Sequence, residues 1–173
     1  MIELVLPDER RWPSWVESME EFGDAVHLHG YATFGFEGQD LGDAGVFQNW
    51  LGRETGARVT GQDGFVPATV WWIVDEARPD EVLGSIQLRH ELNDFLLAEG
   101  GHIGYGIRPS ARGRGVATAA LLLCLEQAVS MGLSRVLIVC DIDNEPSRRT
   151  ILAAGGMLET VNGTMERYWI DLG

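Results

Sequence analysis

The sequence predicts one mixed α/β (α+β) domain over residues 1–173, and three observations carry that expectation. The chain has 173 residues, 45% of them hydrophobic, the length of a single domain and enough to bury a proper core. Hydrophobic periodicity changes in the order strand, helices, three strands, helix, strand, helix, hairpin, which mixes both element types along the whole chain. No internal repeat and no linker-like stretch interrupts that order.

Residues 2–6 (IELVL) open as a strand that Pro7-Asp8 closes. Over 13–22, Trp15, Val16, Met19 and Phe22 recur at helical spacing, predicting an amphipathic first helix. Residues 23–66 are rich in glycine and acids, with Tyr31, Phe34, Phe36, Phe47 and Trp50 scattered among them, and 47–51 offers a short second helix. So long an irregular stretch is a mobile lid, a segment that shapes a substrate site, or a solvated excursion.

After Pro67 the pattern turns to strand. Residues 69–74 (TVWWIV) are β-branched and aromatic. Residues 82–88 alternate, with Val82, Gly84, Ile86 and Leu88 on one face, and Arg78-Pro79-Asp80 joins the two runs as a hairpin. Residues 90–99 read as a connection. The next strand, 101–107, places Ile103, Tyr105 and Ile107 on one face and His102, Gly104 and Gly106 on the other. Glycines inside a strand mark the close approach of a ligand or of another backbone.

Residues 116–131 form a helix, apolar nearly all round and so expected to be deeply buried; Gly132 ends it. Residues 135–139 (RVLIV) are a continuous apolar run, which suits a central strand covered on both faces. Asn144 is placed to cap a helix reaching residue 154, with Pro146 tolerated in its first turn and Gly155-Gly156 as its stop. Last, 157–161 and 165–172 flank Asn162-Gly163, a strong hairpin signal.

Charge narrows the function. A net charge of -13 argues against a nucleic-acid partner, which calls for a basic face. Every basic side chain apart from histidine is arginine, and the chain contains no lysine. That excludes a Walker phosphate loop and Schiff-base chemistry. Arg108, Arg112, Arg114, Arg148 and Arg149 sit in two short stretches of this acidic chain, which suggests a bound anion. The cysteines, Cys124 and Cys140, lack zinc-site spacing and read as reduced thiols, so no metal is expected. No run has the roughly 18 apolar residues of a membrane helix. The first residues, MIELVLPDERR, lack the basic start and apolar core of a signal peptide, which predicts a cytoplasmic protein without a membrane partner.

The stretch 101–120 (GHIGYGIRPSARGRGVATAA) is the strongest local signal. A strand turns at Arg108-Pro109-Ser110 and enters a helix through Arg-Gly-Arg-Gly, freeing successive backbone N–H groups at a helix N-terminus, an arrangement that holds anions. An ordinary glycine-rich helix start is the plainer account. Dinucleotide binding fails on context, because Thr118 stands where a third glycine would be needed and no βαβ unit with a ribose-binding acid follows.

These residues resemble the GNAT N-acetyltransferase superfamily over most of the chain. The family's pyrophosphate loop, Gln/Arg-x-x-Gly-x-Gly/Ala, stands here as Arg112-Gly-Arg-Gly115-Val-Ala117; its strand-and-turn lead stands as Ile103-Gly-Tyr-Gly-Ile-Arg-Pro109; its Asn-x-x-Ser/Ala helix start stands as Asn144-Glu-Pro-Ser147. The blocks His102–Thr118 and Cys140–Glu159 are similar to those of a bacterial subgroup of predicted acetyltransferases, whereas most of the N-terminal third matches loosely.

The resemblance implies a mostly antiparallel central sheet of about six to seven strands flanked by helices, with strands 4 and 5 splayed. It implies acetyl-CoA as acyl donor. The coenzyme A pyrophosphate would lie on Arg112, Gly113, Arg114, Gly115, Val116, Ala117 and Thr118, and the pantetheine arm between strands 101–107 and 135–140, with Gly104 and Gly106 suiting its passage. Asn144 and Ser147 would touch the arm, and a backbone N–H near Ile107 would polarise the thioester carbonyl. The reaction implied is direct acetyl transfer to a primary amine of a small molecule or peptide in a ternary complex. Many members protonate the leaving thiolate with a tyrosine, but its place here is Ile151.

His102 and Asp141 are the candidate bases for the amine proton; for His102 a plain hydrogen-bonded role at the strand start is an equal alternative. Tyr105 and Tyr168 read as core aromatics and Cys140 as a buried, inert thiol. A non-catalytic acyl-CoA-binding module is the competing function, and the edge of the C-terminal hairpin could pair with a second copy of the chain.

Overall fold

The computed structural model describes residues 1–25, 27–61 and 63–173. In chain order these form β1 (Ile2–Val5), α1 (Trp12–Glu20), α2 (Ala44–Ala57), β2 (Ala68–Asp75), β3 (Gly84–Arg89), β4 (Ile103–Ile107), α3 (Val116–Ser130), β5 (Arg135–Asp141), α4 (Glu145–Ala153), β6 (Met157–Asn162) and β7 (Met165–Asp171). Every strand pairing is antiparallel. The strands fall into a four-stranded sheet, β1-β2-β3-β4, and a three-stranded sheet, β5-β7-β6. The expected splay is therefore present: β4 and β5 are neighbours that form no ladder.

Strand alternation sorts the core into two clusters. Along β2, Trp71 and Ile73 join Ile86, Leu88, Ile103, Ile107 and Ile138 in a core roofed by Ala120, Leu121, Cys124 and Leu125 of α3 and Ile151 of α4. Val70 and Trp72, pointing the other way, join Trp15 of α1, Tyr31, and Phe47 and Trp50 of α2. Because successive β residues face opposite sides, α1 and α2 cover one face of the first sheet and α3 the other. The second cluster is an aromatic stack, with Trp15 and Trp50 centroids 4.4 Å apart and Trp15 and Trp72 5.3 Å apart.

Several elements differ from expectation for physical reasons. Helix α2 runs over 14 residues rather than 47–51. Asp43 caps it, accepting from the N–H groups of Gly45 (2.9 Å) and Val46 (3.1 Å), and Phe47, Trp50 and Glu54 form its buried face. That packing offsets Gly45, Gly52 and Gly56, each costing about 1 kcal/mol of helix propensity. Helix α3 is one-sided: Val116, Ala120, Leu121, Cys124, Leu125 and Ala128 are buried, while Leu122 and Val129 are 46% and 52% exposed. The connection after β3 contains a π-helical turn, Leu96–Gly100.

The segment between α1 and α2 is docked on the body of the protein. Its carbonyls take side-chain donors: Ser85 Oγ on Gly30 O (2.7 Å), Trp50 Nε1 on Ala32 O (2.9 Å) and Trp12 Nε1 on Leu41 O (2.8 Å). Arg53 donates to both Ala32 O (2.6 Å) and Phe34 O (2.5 Å). The solvated-excursion reading is therefore corrected at Gly30, which is tied to the sheet, and at Ala32, Phe34 and Leu41, which are tied to α1 and α2.

Candidate functional site

Backbone register shows what lies between β4 and β5. Arg108 N–H donates to Leu83 O (2.9 Å) and Arg89 N–H to His102 O (2.7 Å), which makes Gly84↔Ile107, Ile86↔Tyr105 and Leu88↔Ile103 the non-hydrogen-bonded pairs of the β3–β4 ladder. The N–H and C=O groups of Ile103, Tyr105 and Ile107 thus point away from β3, toward β5. On β5, the bonds Leu172 N–H to Ser134 O (2.9 Å) and Ile142 N–H to Thr164 O (2.8 Å) set the phase. They leave the backbone groups of Leu137, Val139 and Asp141 facing β4.

The two edges meet at one place. His102 N–H donates to Leu137 O (2.7 Å), and Leu137 N–H donates to His102 Nδ1 (2.9 Å). Arg89 secures the approach to this vertex by donating to Gly100 O (3.0 Å) and Gly101 O (3.2 Å). Beyond the vertex the strands diverge, with unpaired donors and acceptors on both sides of a gap. Backbone groups inside a fold are almost always paired, so such a gap suits an extended ligand that carries amides of its own.

The open end of β4 leads to the glycine-rich loop. After the turn Pro109–Ala111, Gly113 (φ 74°) and Gly115 (φ 73°) adopt left-handed conformations that only glycine takes at no cost. Gly115 is the N-cap of α3 and supplies no side-chain cap. Among the described residues the N–H groups of 113–118 have no partner in the protein, and open space surrounds both glycines. An uncapped 15-residue helix presents roughly half a positive charge there.

The arginines are mostly committed elsewhere, which corrects the expectation of a cationic cluster. Arg108 is buried and donates from Nε to Glu21 Oε1 (2.8 Å), with Ser110 N–H on Glu21 Oε2 (2.9 Å). The Arg108 bond holds the Glu21 carboxyl down to about 2. Arg112 Nε donates to Ile107 O (3.0 Å), so it fixes the end of β4 and leaves the Ile107 N–H facing the gap. Arg148 grips Glu166 from Nε (2.9 Å), and Arg149 pairs with Glu145 (3.0 Å). Arg114 is exposed and has no ion pair or side-chain hydrogen bond among the described residues.

Gly104 and Gly106 have a different neighbour from the expected arm. A Cβ on Gly106 would lie 2.7 Å from His29 O, and Gly30 N lies 3.4 Å from one on Gly104. The glycine face of β4 therefore receives the chain's own 29–31 segment. Gly30 itself (φ 80°) packs so closely that a Cβ would fall 2.6 Å from Tyr105 Cα.

The candidate bases are differently placed. The His102 lone pair at Nδ1 is occupied by Leu137 N–H, and burial pushes the ring's pKa down to about 4. Its geometry is that of the hydrogen-bonded strand-start residue. Asp141 is exposed at the end of β5, its carboxylate without a partner among the described residues, while its C=O accepts Asn144 N–H (2.9 Å). Asn144 Oδ1 in turn caps α4 by accepting Ser147 N–H (3.2 Å).

On the α3/α4 side, Tyr105 reaches from β4 to the first turn of α4, its hydroxyl 2.8 Å from Ser147 Oγ and 3.3 Å from Ser147 O. Burial raises the phenol to about 12. Ile151, one turn further on, is fully buried. Burial likewise raises Cys140 to about 11, beside a Glu166 carboxylate that also accepts from Tyr168 (2.8 Å). The expectation of a core aromatic misses this contact of Tyr105; the signal for its position is its place opposite Gly104 and Gly106 in the alternation of β4.

Two open clefts lie elsewhere. One, of about 490 Å³, is lined by Glu159, Thr160, Val161, Asn162 and Arg167 of the hairpin. The other, of about 520 Å³, lies between α1 and the β2–β3 connection. Neither includes a residue of 112–118. Among the described residues no group of three or more His, Cys, Asp or Glu side chains is placed to hold a metal, and no helix is long and apolar enough to cross a membrane.

The family model described as an acetyltransferase (GNAT) domain matches residues 43–157. No curated protein sequence matches the chain. Among solved structures, RimJ of Mycobacterium smegmatis in complex with CoA-disulfide is similar at 18% identity and TM-score 0.71, over 98% of this chain and 81% of that one. The microcin C7 self-immunity acetyltransferase MccE, in complex with acetyl-CoA and AMP, is similar at 17% identity and TM-score 0.63, over 98% and 92%. YncA of Salmonella typhimurium with its cofactor acetyl-CoA is similar at 12% identity and TM-score 0.60, over 99% and 94%. At these identities the solved structures establish the shared fold.

Proposed function

The chain belongs to the GNAT acetyltransferases, and from that premise we propose that it transfers the acetyl group of acetyl-CoA to a primary amine of a small molecule or peptide, by direct attack within a ternary complex. One observation carries the reading most: a gap edged by unpaired backbone groups, closed at His102–Leu137 and opening onto the uncapped N-terminus of α3.

Each part of that path has a task. The N–H groups of residues 113–118 hold the donor's pyrophosphate, with the helix dipole adding roughly 0.3–1 kcal/mol per interaction. Arg114 adds a charge-assisted bond. The gap-facing groups of Ile103, Tyr105 and Val139 pair with the amides of the arm. Ile107 N–H, kept free because Arg112 takes only the carbonyl of that residue, donates to the thioester oxygen as charge develops there. Loss of such a donor typically costs about 3 kcal/mol of activation free energy. Asn144 holds α4 at the rim of the gap. Asp141, with its free carboxylate, receives the amine proton through solvent; His102 acts by fixing the vertex.

Thiol release that requires both acetyl-CoA and an amine, across a panel of polyamines, amino acids and peptide N-termini, tests this function. Stabilisation by coenzyme A without turnover on any of them would favour an acyl-CoA-binding module instead, a reading that the buried Ile151 supports. The reading also carries a cytoplasmic setting, where free thiols such as Cys124 and Cys140 stay reduced. A second copy of the chain could pair along β6, all six residues of which are exposed; sedimentation would detect it.

A further inference from the structure

Arg89 is half-buried on β3 and has no carboxylate beside it among the described residues. Its Nη1 donates to Gly100 O (3.0 Å) and Gly101 O (3.2 Å), which leaves Nε and Nη2, one edge of the guanidinium, without a partner there. We propose that this edge, with the Gln87 amide and the Gly30 N–H, seats a carboxylate of the acceptor, so that the amine acetylated belongs to an ω-amino acid. The inference rests on the acetyl-transfer reading and names the substrate class of that same site.

Charge supports it first. The chain has 26 acidic residues and a net charge of -13, and Arg108 and Arg148, likewise withdrawn from solvent, each grip a glutamate. Arg89 does not. Burial alone lowers its pKa, and its charge is felt at the neighbouring His102 ring. A guanidinium taken out of water without a counter-ion costs stability, and an anion that arrives with the substrate offsets that cost.

Placement supports it independently. On β3, Ser85, Gln87 and Arg89 share the face opposite Ile86 and Leu88. Gln87 is the cross-strand partner of Gly104, is half-buried, and makes no side-chain hydrogen bond among the described residues. Over Gly104, from which no side chain projects, Gly30 N and Arg89 Nη2 stand 3.4 Å and 4.0 Å from the point a Cβ would occupy. Gly30 is buried, and its N–H has no partner among the described residues, against the general rule for buried backbone donors. Donors from β3 and from the 29–31 segment thus converge on one spot.

The shape of that spot selects the ligand. Nε and Nη2 present two parallel N–H bonds, which match the two oxygens of a carboxylate. Ile103 and Tyr105 flank Gly104 and turn their backbone groups to the gap, so the seat lies beside the donor's path. Gly104 and Ile107, whose N–H is read as the thioester's donor, are separated by roughly 10 Å of strand. Several carbons therefore separate the reacting amine from the carboxylate. The carboxylate takes no part in bond making. The amine nitrogen bonds to the acetyl carbon, the C–S electron pair leaves on sulfur, and the proton shed by the amine balances the thiolate.

The test compares ε-aminocaproate with its uncharged carboxamide as acceptors, followed by thiol release, in the wild type, Arg89→Met and Gln87→Leu. Its measure is the ratio of the two kcat/KM values within each protein. Damage to the β4–β5 vertex lowers both rates alike and leaves that ratio unmoved, so a merely structural role for Arg89 does not register. The wild type should favour the carboxylate by about tenfold, through KM, the size of one charge-assisted contact. The ratio should fall toward unity in Arg89→Met and by a few-fold in Gln87→Leu. A wild-type ratio at or below unity, or an undiminished one in Arg89→Met, would overturn the seat. Should Arg89→Met not fold, an undiminished ratio in Gln87→Leu overturns it instead. Thiol release with other amines but with neither of this pair sinks the inference and leaves acetyl transfer standing, whereas no release with any amine sinks both.

Discussion

His102 and Leu137 exchange two hydrogen bonds, one from backbone to backbone (2.7 Å) and one from backbone to imidazole (2.9 Å), where β4 and β5 come into contact. The ring nitrogen stands in for the carbonyl that a regular ladder would have provided. Its occupied lone pair makes the bond depend on a neutral ring.

Acid should therefore loosen the vertex. The folded-state pKa of His102, about 4, lies below its ordinary 6.5, chiefly through burial and secondarily through Arg89. Between these values the unfolded chain binds the extra proton, so the contribution is complete above pH 6.5 and is lost as pH falls toward 4. The loss is on the order of 1–3 kcal/mol in total. Urea unfolding from pH 7 to pH 4 should show His102→Gln less stable at pH 7 yet losing less on acidification; parallel curves for the two proteins would refute this.

Gly30 and Gly113 should respond differently to alanine. Gly30→Ala drives a Cβ into the Ser85 and Gly104 carbonyls and Tyr105 Cα, detaching the 29–31 segment and lowering the melting temperature by several degrees. Gly113→Ala meets nothing and costs about 1–2 kcal/mol of left-handed backbone strain. Its larger effect should be on coenzyme A, whose dissociation constant rises as the loop loses its shape. Calorimetry on both variants reads the contrast.

Two arginines from the same sequence cluster should separate cleanly. Arg114→Ala removes an exposed guanidinium with no side-chain partner among the described residues, so coenzyme A affinity falls, the more so at low salt, and stability holds. Arg148→Ala strands the Glu166 carboxylate that it grips, so the melting temperature falls while low-salt coenzyme A binding changes little. Equal effects of both on affinity would contradict the assignments.

The aromatic stack should dominate the stability of the other face. Trp50 is fully buried against Trp15 and Trp72, and Trp50→Ala should cost about 3–5 kcal/mol. Chemical denaturation measures this directly, and a loss below about 1 kcal/mol, typical of a surface substitution, would place Trp50 outside the core.

The legible parts of the fold were those with strong local signals. The β-branched and aromatic run of β2, the alternation of β3 and β4, the Gly113–Gly115 helix entry and the Asn162-Gly163 hairpin all stand in the structure near their expected places. Helix α2 was hidden because three glycines mask a buried face formed by Phe47, Trp50 and Glu54. The roles of Gly104 and Gly106 were half legible: strand glycines announce a close neighbour, but whether ligand or chain depends on where His29-Gly30 lands. The arginine cluster misled because proximity in sequence says nothing of carboxylates such as Glu21 and Glu166, which arrive from distant elements. Tyr105 was beyond local pattern for the same reason, since its contact joins β4 to Ser147 in a helix 42 residues further along the chain.

The ion pairs Arg108–Glu21 and Arg148–Glu166 have a further consequence in a protein that handles activated acetyl groups. An ammonium in either place could be acylated, which erases its charge and would leave a partly buried carboxylate without its cation. Guanidinium groups stay protonated in proteins and so present no free nitrogen lone pair to a thioester. With arginine at every such position and no lysine in the sequence, the scaffold is inert toward its own reagent: adventitious acetylation has no side-chain amine on which to accumulate, and the pairs that hold α1 and α4 in place are not consumed as the donor turns over.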